Sequence, residues 1–280
     1  MRIYFKSLAS GSSGNCYYLG TDRSGLLVDA GIGVRTIRKA FKEAGMDFSM
    51  VRAVLVTHDH ADHIKAVGHL GERFNLPIYA TPEVHKGMKR SYCMTEKLSP
   101  LHTRFLKKEE TIQVEDFRVT CFDVPHDGTD NVGYCMEAGS LTFVFLTDIG
   151  HITETAAAYI QRANNLILEA NYDEAMLQMG HYPNYLKARI AGLNGHLSNR
   201  EMADYLAEHF PPGLRYLWPC HLSKDNNHPE LVLKTIEMAF LKKGIVVGKD
   251  VQVLPLRRMT PSELYTFDTE EVDLSASVTN

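Results

Sequence analysis

Long hydrophobic runs are missing from this sequence, in which no stretch approaches the roughly 18 consecutive apolar residues that indicate a transmembrane helix. The first residues, MRIYFKSLAS, also lack the charged-then-apolar layout of a signal peptide. The five cysteines form no CxxC pair, and their odd number argues against a disulfide framework. We therefore expect a cytoplasmic protein that has no membrane partner.

An excess of positive charge is missing as well, because the formal net charge is −4. That value does not by itself indicate a nucleic-acid-binding protein, although it allows a local basic groove. The last nineteen residues contain no Lys or Arg and carry the carboxylates of Glu263, Asp268, Glu270, Glu271 and Asp273. We predict a folded domain over residues 1–258 and an acidic, partly disordered tail over 259–280.

Short apolar strands alternate with amphipathic helices, and no Pro-, Gly- or Ser-rich linker divides the chain. The apolar runs predict strands at 3–8, 16–19, 26–28, 54–56, 117–124, 132–137, 141–146, 166–168 and 216–218. The amphipathic patterns predict helices at 34–44, after residue 63, and at 153–162, 199–210 and 229–242. Residues 82–110 form a mixed, charged stretch. Two similar βα halves favour an α/β fold in which helices flank a sandwich of sheets.

The segment THDHADHI at 57–64 directly follows a predicted core strand and concentrates metal-binding side chains. Neutral imidazoles and ionised carboxylates are ligands that Zn²⁺, Mn²⁺ and Fe accept. His58 and His60 are two residues apart and point the same way from an extended segment. Asp62 and His63 begin the next helix, from which they can bind a second metal. We therefore predict a metal site here, in which His58 and His60 bind one ion and Asp62 and His63 bind another.

Three later residues extend this pattern, because each follows a predicted strand: His126 in DVPHD, Asp148 in LTD and His221 in WPCHLS. Strand ends converge at one edge of a sheet, where α/β folds gather their sites. With the four residues of the opening segment they make seven candidate ligands, which suffice for two metals. Asp148 could bridge the metals because a carboxylate has two oxygens to share.

The order HxHxDH, then His, Asp and His after strands, resembles the metallo-β-lactamase superfamily over about residues 1–258. LLVDAG at 26–31 matches the strand that usually precedes the motif in that superfamily. The resemblance implies an αββα sandwich of two mixed sheets flanked by helices, and a dinuclear metal site. It also implies that Asp29 supports the ligand histidines through hydrogen bonds. We expect Asp59 to be a further supporting or structural residue.

Several further motifs are similar to the YycJ (WalJ) family within that superfamily. They are SLASGSSGNCYYL at 7–19, PHD at 125–127, LTDIG at 146–150, EANYD at 169–173, GHLSN at 195–199 and HLSKDNN at 221–227. This resemblance implies a bacterial 5′→3′ DNA exonuclease linked to mismatch repair. DNA is therefore the favoured partner, and RNA remains an alternative.

The chemistry expected of such a site is hydrolysis by a hydroxide that two divalent ions hold, these being Zn, Mn or Fe. Asp62 would ligate one ion and orient the hydroxide. His196 in GHLS resembles the additional histidine of phosphodiesterase branches, which contacts the scissile phosphate or protonates the leaving oxygen. We predict Asp62 and His196 as the catalytic residues.

Polar loops near the predicted ligands supply candidate contacts to a phosphate or to the nucleic-acid backbone. The candidates are Ser10, Ser12, Ser13, Asn15, Lys187, Arg189, Ser223, Asn226 and Asn227. His151 and His181 have no role that the sequence assigns.

Other functions on the same scaffold stay open at this point: ribonuclease Z-like RNA processing, cyclic-phosphodiester hydrolysis, and thioester or lactam hydrolysis. A metal-bound regulatory module is the non-enzyme alternative. Seven retained ligands disfavour that module, because a binding module needs no open position for hydroxide. The sequence does not indicate the metal, the direction of digestion or the oligomeric state.

Overall fold

The computed structural model describes residues 1–269, and its strands form two sheets. In chain order the strands are β1 (Arg2–Ala9), β2 (Cys16–Thr21), β3 (Gly25–Val28), β4 (Val51–Leu55), β5 (Ile78–Ala80), β6 (Thr103–Phe105), β7 (Thr111–Val114), β8 (Phe117–Asp123), β9 (Val132–Ala138), β10 (Leu141–Leu146), β11 (Asn165–Glu169), β12 (Tyr216–Cys220), β13 (Gln252–Val253) and β14 (Tyr265–Asp268). Residues 270–280, the end of the predicted acidic tail, lie outside the described residues.

Each sheet combines antiparallel and parallel pairing. The first has the spatial order β14, β1, β2, β3, β4, β5, β6, and the second has the order β13, β12, β11, β10, β9, β8, β7. Pairing is parallel from β3 to β6 in the first sheet and from β10 to β13 in the second. Parallel strands bring their carboxyl ends to one edge, where polar side chains can converge.

Helices cover the outer face of both sheets. They are α1 (Val34–Glu43), α2 (Ala61–Ile64), α3 (Val67–Phe74), α4 (Pro82–Arg90), α5 (Glu154–Ile160), α6 (Glu174–Met179), α7 (Asn184–Ile190), α8 (Asn199–Glu208) and α9 (Pro229–Leu241), with a 3₁₀ turn at Phe48–Met50. Helices α1, α3 and α4 pack on the first sheet, and α5, α8 and α9 pack on the second. Within residues 1–269, no helix has the length and apolar character needed to cross a bilayer.

The central core lies between the two sheets and is rich in aromatic side chains. On β1, Phe5 faces this core, while the neighbouring Tyr4 packs against the α1 layer, as the two-residue period of a strand requires. Phe5 lies 4.6 Å from Trp218 of the opposite sheet, measured between ring centroids. The predicted αββα sandwich of two mixed sheets is therefore confirmed.

The stretch 82–110, for which the sequence analysis names no element, contains α4 and β6 and ends directly before β7. Thr81 begins α4, because its side-chain oxygen accepts a hydrogen bond from the Val84 amide and Pro82 occupies the first turn. This cap and the following proline are an ordinary helix start. The high charge of the segment obscured them.

The end of the chain differs from the predicted boundary at residue 258. Strand β14 pairs antiparallel with β1, and Phe267 contacts Phe143 and Trp218 in the central core. Ser262 also exchanges backbone and side-chain hydrogen bonds with Ser7. The folded domain therefore includes residues 259–269, which the sequence analysis assigned to the acidic tail.

We expect a chain that ends at residue 258 to be less stable than one that ends at residue 269, by about 2–4 kcal/mol in the free energy of unfolding. The shorter chain loses four residue pairs on β1 and two aromatic side chains. Urea unfolding of both chains measures the difference. Equal values would contradict the assignment of 265–268 to the sheet.

Candidate metal centre

The predicted ligands meet at the edge of the sandwich where several strands end. His58, His60, Asp62 and His63 follow β4, His126 follows β8, Asp148 follows β10, and His221 follows β12. Helix α2 begins directly after His60, and this single turn directs Asp62 and His63 back towards the strand ends. The structure therefore brings all seven predicted ligands to one place.

One cluster consists of His58, His60 and His126, whose ring nitrogens lie within 4.8 Å of one another. The Nε2 atoms of His58 and His126 are buried and have no hydrogen-bond partner among the described residues. A buried polar atom without a partner is costly. A cation between the three rings would satisfy these lone pairs.

A second cluster consists of Asp62, His63 and His221, which also have ligand atoms within 4.8 Å of one another. Asp62 Oδ2 lies 3.4 Å from His221 Nε2 and 3.6 Å from His63 Nε2. This grouping has the same division of residues as the two ions predicted from the sequence.

Asp148 lies between the clusters. Its Oδ1 is 3.6 Å from His126 Nε2, and its Oδ2 is 3.1 Å from His63 Nε2 in a contact that lacks hydrogen-bond geometry. The carboxylate thus reaches a histidine of each cluster. Imidazole nitrogens and carboxylate oxygens are the donors that divalent Zn, Mn and Fe accept, so the residues present fit divalent metal ions.

Burial sets the charge state of these groups. It lowers the pKa of His58 well below its ordinary value and also lowers the pKa of His126, so both rings are neutral and have a lone pair to donate. Burial alone would raise the pKa of Asp148, but the imidazoles of His221 and His63 outweigh it and hold that pKa well below its usual range. Burial also lowers the pKa of His63 and His221, but the neighbouring carboxylates outweigh burial there and raise it overall. The ionised Asp148 therefore lies between two neutral rings and two rings that favour the charged form.

Asp29 holds His63 from behind. Its Oδ2 lies 2.7 Å from His63 Nδ1, and its two oxygens accept hydrogen bonds from the backbone and side chain of Thr57. Asp29 has φ of 58°, a left-handed conformation that aspartate tolerates better than most residues. The contact directs Nε2 of His63 towards Asp148, which is the kind of support that the sequence predicts for Asp29.

Glu169 supports two further histidines, and the sequence analysis assigned it no role. Its Oε1 lies 2.7 Å from His196 Nδ1 and 2.8 Å from His221 Nδ1, while its Oε2 accepts a hydrogen bond from the Ile149 amide. The side chain is fully buried at the end of β11. Only the motif EANYD indicated this position, and a carboxylate at the end of a strand has no distinctive local pattern.

His196 lies beside the clusters with one ring nitrogen bound to Glu169 and the rest of the ring facing the cleft. Burial lowers its pKa, but the carboxylate of Glu169 outweighs burial and raises it overall. Gly195, the preceding residue, allows a close approach, because a Cβ there would lie 2.2 Å from the carbonyl oxygens of Arg189 and Ile190. His126 Nδ1 donates to the Gly195 carbonyl, which ties this loop to the first cluster.

The cleft above the clusters has a volume of about 290 Å³. It is lined by Ser12, His60, Asp62, Asp127, Asp148, Asn171, Tyr182, Leu186, Arg189, Ile190, Gly195, His196, His221 and Ser223. Three of the nine predicted substrate contacts, Ser12, Arg189 and Ser223, are among these residues.

Four of the other predicted substrate contacts are buried and act as structural supports. Ser10 Oγ accepts a hydrogen bond from the amide of His221, a residue with φ of 53°. Asn15 Nδ2 lies 2.9 Å from His63 Nε2 and 3.3 Å from Asp62 Oδ2. Asn226 and Asn227 are also buried, and Asn227 donates to backbone carbonyls at 170 and 171. These side chains hold the loops that carry the clustered residues.

Ser13 is exposed and Lys187 is half-buried, and neither lines the cleft; Lys187 Nζ donates to the Gln178 carbonyl. His181 is exposed on the loop before α7, and His151 lies 2.9 Å from the Leu193 carbonyl, outside both clusters. Asp59 points away from the clusters, where its oxygens accept hydrogen bonds from Thr129.

Asp127 is a cleft residue that the sequence analysis did not single out. Its Oδ1 lies 3.5 Å from the Nε2 atoms of both His60 and His126, and its Oδ2 accepts a hydrogen bond from Arg189 Nε. Burial raises the pKa of Asp127, but the hydrogen bond from Arg189 outweighs it and lowers the pKa overall. Asp127 therefore holds Arg189 at the mouth of the cleft, beside the first cluster.

The αββα sandwich and the convergent histidines and carboxylates define a metal-dependent hydrolase that uses divalent metal. Residues 25–217 match the family model described as the Beta-lactamase superfamily domain. The chain is 33% identical over 254 residues to exodeoxyribonuclease YycJ of Bacillus anthracis, which covers 90% of this chain and 95% of that protein. It is 32% identical over 249 residues to exodeoxyribonuclease WalJ of Streptococcus pneumoniae serotype 2 strain D39, which covers 89% and 92%. The chain belongs to the β-lactamase superfamily and, within it, to the YycJ/WalJ family.

Solved structures share the fold at low sequence identity. The Zn²⁺-bound PqqB of Methylobacterium extorquens has a TM-score of 0.67 at 18% identity, covering 95% of this chain and 99% of its own. YhfI of Bacillus subtilis has a TM-score of 0.66 at 17% identity with the same coverage. These likenesses support the fold assignment alone.

We expect Glu169→Gln to weaken metal affinity about 10- to 100-fold, because the substitution removes the charge that holds His221 in place. Titration against a chromogenic chelator measures the affinity. Glu137→Gln is the matched control, since Glu137 pairs with Arg162 away from the cleft. Unchanged affinity in the folded Glu169→Gln variant would contradict the role assigned to Glu169.

Proposed function

We propose that this protein is an exonuclease that uses two divalent cations to remove nucleotides from the 5′ ends of DNA. The observation that carries the proposal is the pair of His/carboxylate clusters on either side of Asp148 in a polar cleft. Two relatives that match about nine-tenths of the chain are exodeoxyribonucleases, which supports DNA as the substrate. The alternative hydrolases named above are less favoured.

The residues that would hold the cations follow from the two clusters. His58, His60 and His126 would bind one ion, Asp62, His63 and His221 the other, and Asp148 would contact both. When bound, the ions supply Lewis-acid activation of water and neutralise the charge that develops on the phosphoryl oxygens. Zn, Mn and Fe all suit these donors.

Asp62 would orient the attacking water. Its Oδ2 is directed to His63 and His221, and Asn15 Nδ2 donates a hydrogen bond to the same oxygen. The carboxylate therefore has a fixed orientation at the cleft. Its second oxygen can then accept a hydrogen bond from water and align it with the phosphorus atom.

His196 would donate a proton to the leaving oxygen. Glu169 accepts the hydrogen bond from Nδ1, so the ring presents Nε2 to the cleft. A proton donor fixed in this way speeds the loss of the alkoxide, typically by about 10²- to 10⁴-fold. Arg189 and Ser12 at the cleft would contact the neighbouring phosphate.

We expect the purified protein with Mn²⁺ to release nucleotides from the labelled 5′ ends of DNA. His196→Gln should slow release about 10²- to 10⁴-fold by removing the proton donor. Asp62→Asn should also abolish most of the activity. His181→Gln is the matched control, because this histidine is exposed and outside the cleft.

The same assay includes single-stranded DNA, duplex DNA, RNA, bis-p-nitrophenyl phosphate and nitrocefin as separate substrates. Preferential digestion of the RNA would show that RNA, rather than DNA, is the substrate. Turnover of nitrocefin without phosphodiester cleavage would overturn the proposal.

A further inference from the structure

A basic and partly aromatic surface lies outside the metal centre, on α4 and β6. Residues 82–107 contain six Lys or Arg and two Glu, whereas the whole chain has a net charge of −4. Lys89, Arg90 and Lys107 are exposed and have no carboxylate partner in residues 1–269. A single solvated lysine is common on a protein surface. Six basic residues against two acidic ones in one segment, however, produce a local positive potential that attracts a polyanion.

An apolar cleft of about 400 Å³ opens in the same surface. Phe105, Met88 and Met94 contribute to its lining, and Lys86 and Lys89 stand at its rim. The Phe105 ring is 66% exposed although it is large and apolar. An exposed ring beside cations is the combination that single-stranded nucleic acids use for stacking and phosphate contact.

Phe105 has a fixed orientation rather than a free one. His85 of α4 packs edge-on against it, with ring centroids 5.3 Å apart and planes at 84°. The His85 Nε2 atom lies 3.0 Å from the Arg104 carbonyl, which ties α4 to β6 at this point. The Phe105 ring therefore has a fixed orientation and an exposed surface on which a planar partner can stack.

This surface adjoins the metal centre. Gly87 of α4 lies so close to Asp59 that a Cβ would be 1.9 Å from its Oδ2, and Asp59 stands between His58 and His60. The Thr81 hydroxyl, at the start of α4, donates to Asp130. Helix α4 is thus attached directly to the loop that carries the first ligand cluster.

From this geometry we propose that the α4–β6 surface binds the single strand of the nucleic-acid substrate, with a base stacked on Phe105 and phosphates on Lys89 and Arg90. The inference rests on the proposed nuclease function and extends it to the path of the strand. A single strand fits better than a duplex, because its unpaired bases can enter an apolar cleft. The charge of the surface favours a polyanion over a neutral protein partner.

The test is fluorescence anisotropy with the full-length, metal-loaded protein and a labelled single-stranded oligonucleotide of roughly 16 nucleotides. Phosphorothioate linkages slow its cleavage. Phe105→Ala should weaken binding about 5- to 150-fold, the range found when a base-stacking ring is lost.

Lys89→Glu combined with Arg90→Glu tests the phosphate contacts. This double variant should reduce the slope of log affinity against log salt by about 1.4, since each phosphate contact of a single strand contributes about 0.7. Lys234→Glu combined with Lys242→Glu is the matched control, because it makes the same charge change within α9 and at the residue directly after it, and α9 packs on the other sheet. The control should leave the slope nearly unchanged.

Hydrolysis of bis-p-nitrophenyl phosphate separates this inference from the proposed function, because so small a substrate reaches only the metal centre. The surface variants should retain that hydrolysis while they lose affinity for the oligonucleotide. A wild-type protein that binds through this surface but cleaves no phosphodiester would overturn the proposed function alone. If Phe105→Ala and the Lys89/Arg90 variant bind the oligonucleotide like wild type, or if the α9 control loses as much affinity, the inference is overturned. In that case a protein partner is the better explanation of the surface.

Discussion

Carboxyl groups are buried among histidines at one edge of the sandwich, and the other features of the site depend on how these groups are compensated. Asp29, Asp148 and Glu169 are at most 4% exposed. Removing such a group from water costs several kcal/mol unless charge and hydrogen bonds compensate it. Asp29 and Glu169 are compensated by N–H groups of the protein, including those of histidine rings. Asp148 is not fully compensated among the described residues, because its Oδ2 and the Nε2 atoms of His58 and His126 have no hydrogen-bond partner, and divalent cations would complete the balance.

The fold provides this arrangement because each of the two sheets contributes part of the site. The first sheet carries Asp29 and the loop with His58 to His63, and the second sheet carries His126, Asp148, Glu169 and His221. One buried carboxylate on each side, Asp29 or Glu169, orients the histidines of its own sheet. Each ligand cluster takes residues from both sheets, so the packing of the aromatic core between the sheets sets the distances within each cluster.

The residues of the two clusters could be predicted because most of them are polar residues that closely follow an apolar strand, and because four of them fall within six consecutive positions. Glu169 could not be predicted in this way, since its two histidine partners are 27 and 52 residues away and only the fold brings them together. The hydrogen bonds of Ser10 and Asn15 to the ligand loops could not be predicted, because a polar turn has the same composition whether it contacts substrate or supports a neighbouring loop. Strand β14 was missed because its four residues lie within an acidic segment, and the alternation of Tyr265 and Phe267 is too short to stand out.

We infer that the two clusters hold two divalent ions on either side of Asp148. Anomalous X-ray diffraction from crystals grown with Mn²⁺ tests it most directly. We predict two anomalous peaks, one among His58, His60 and His126 and the other among Asp62, His63 and His221, with the Asp148 carboxylate between them. A single peak, or manganese bound elsewhere while these histidines remain unliganded, would contradict the account.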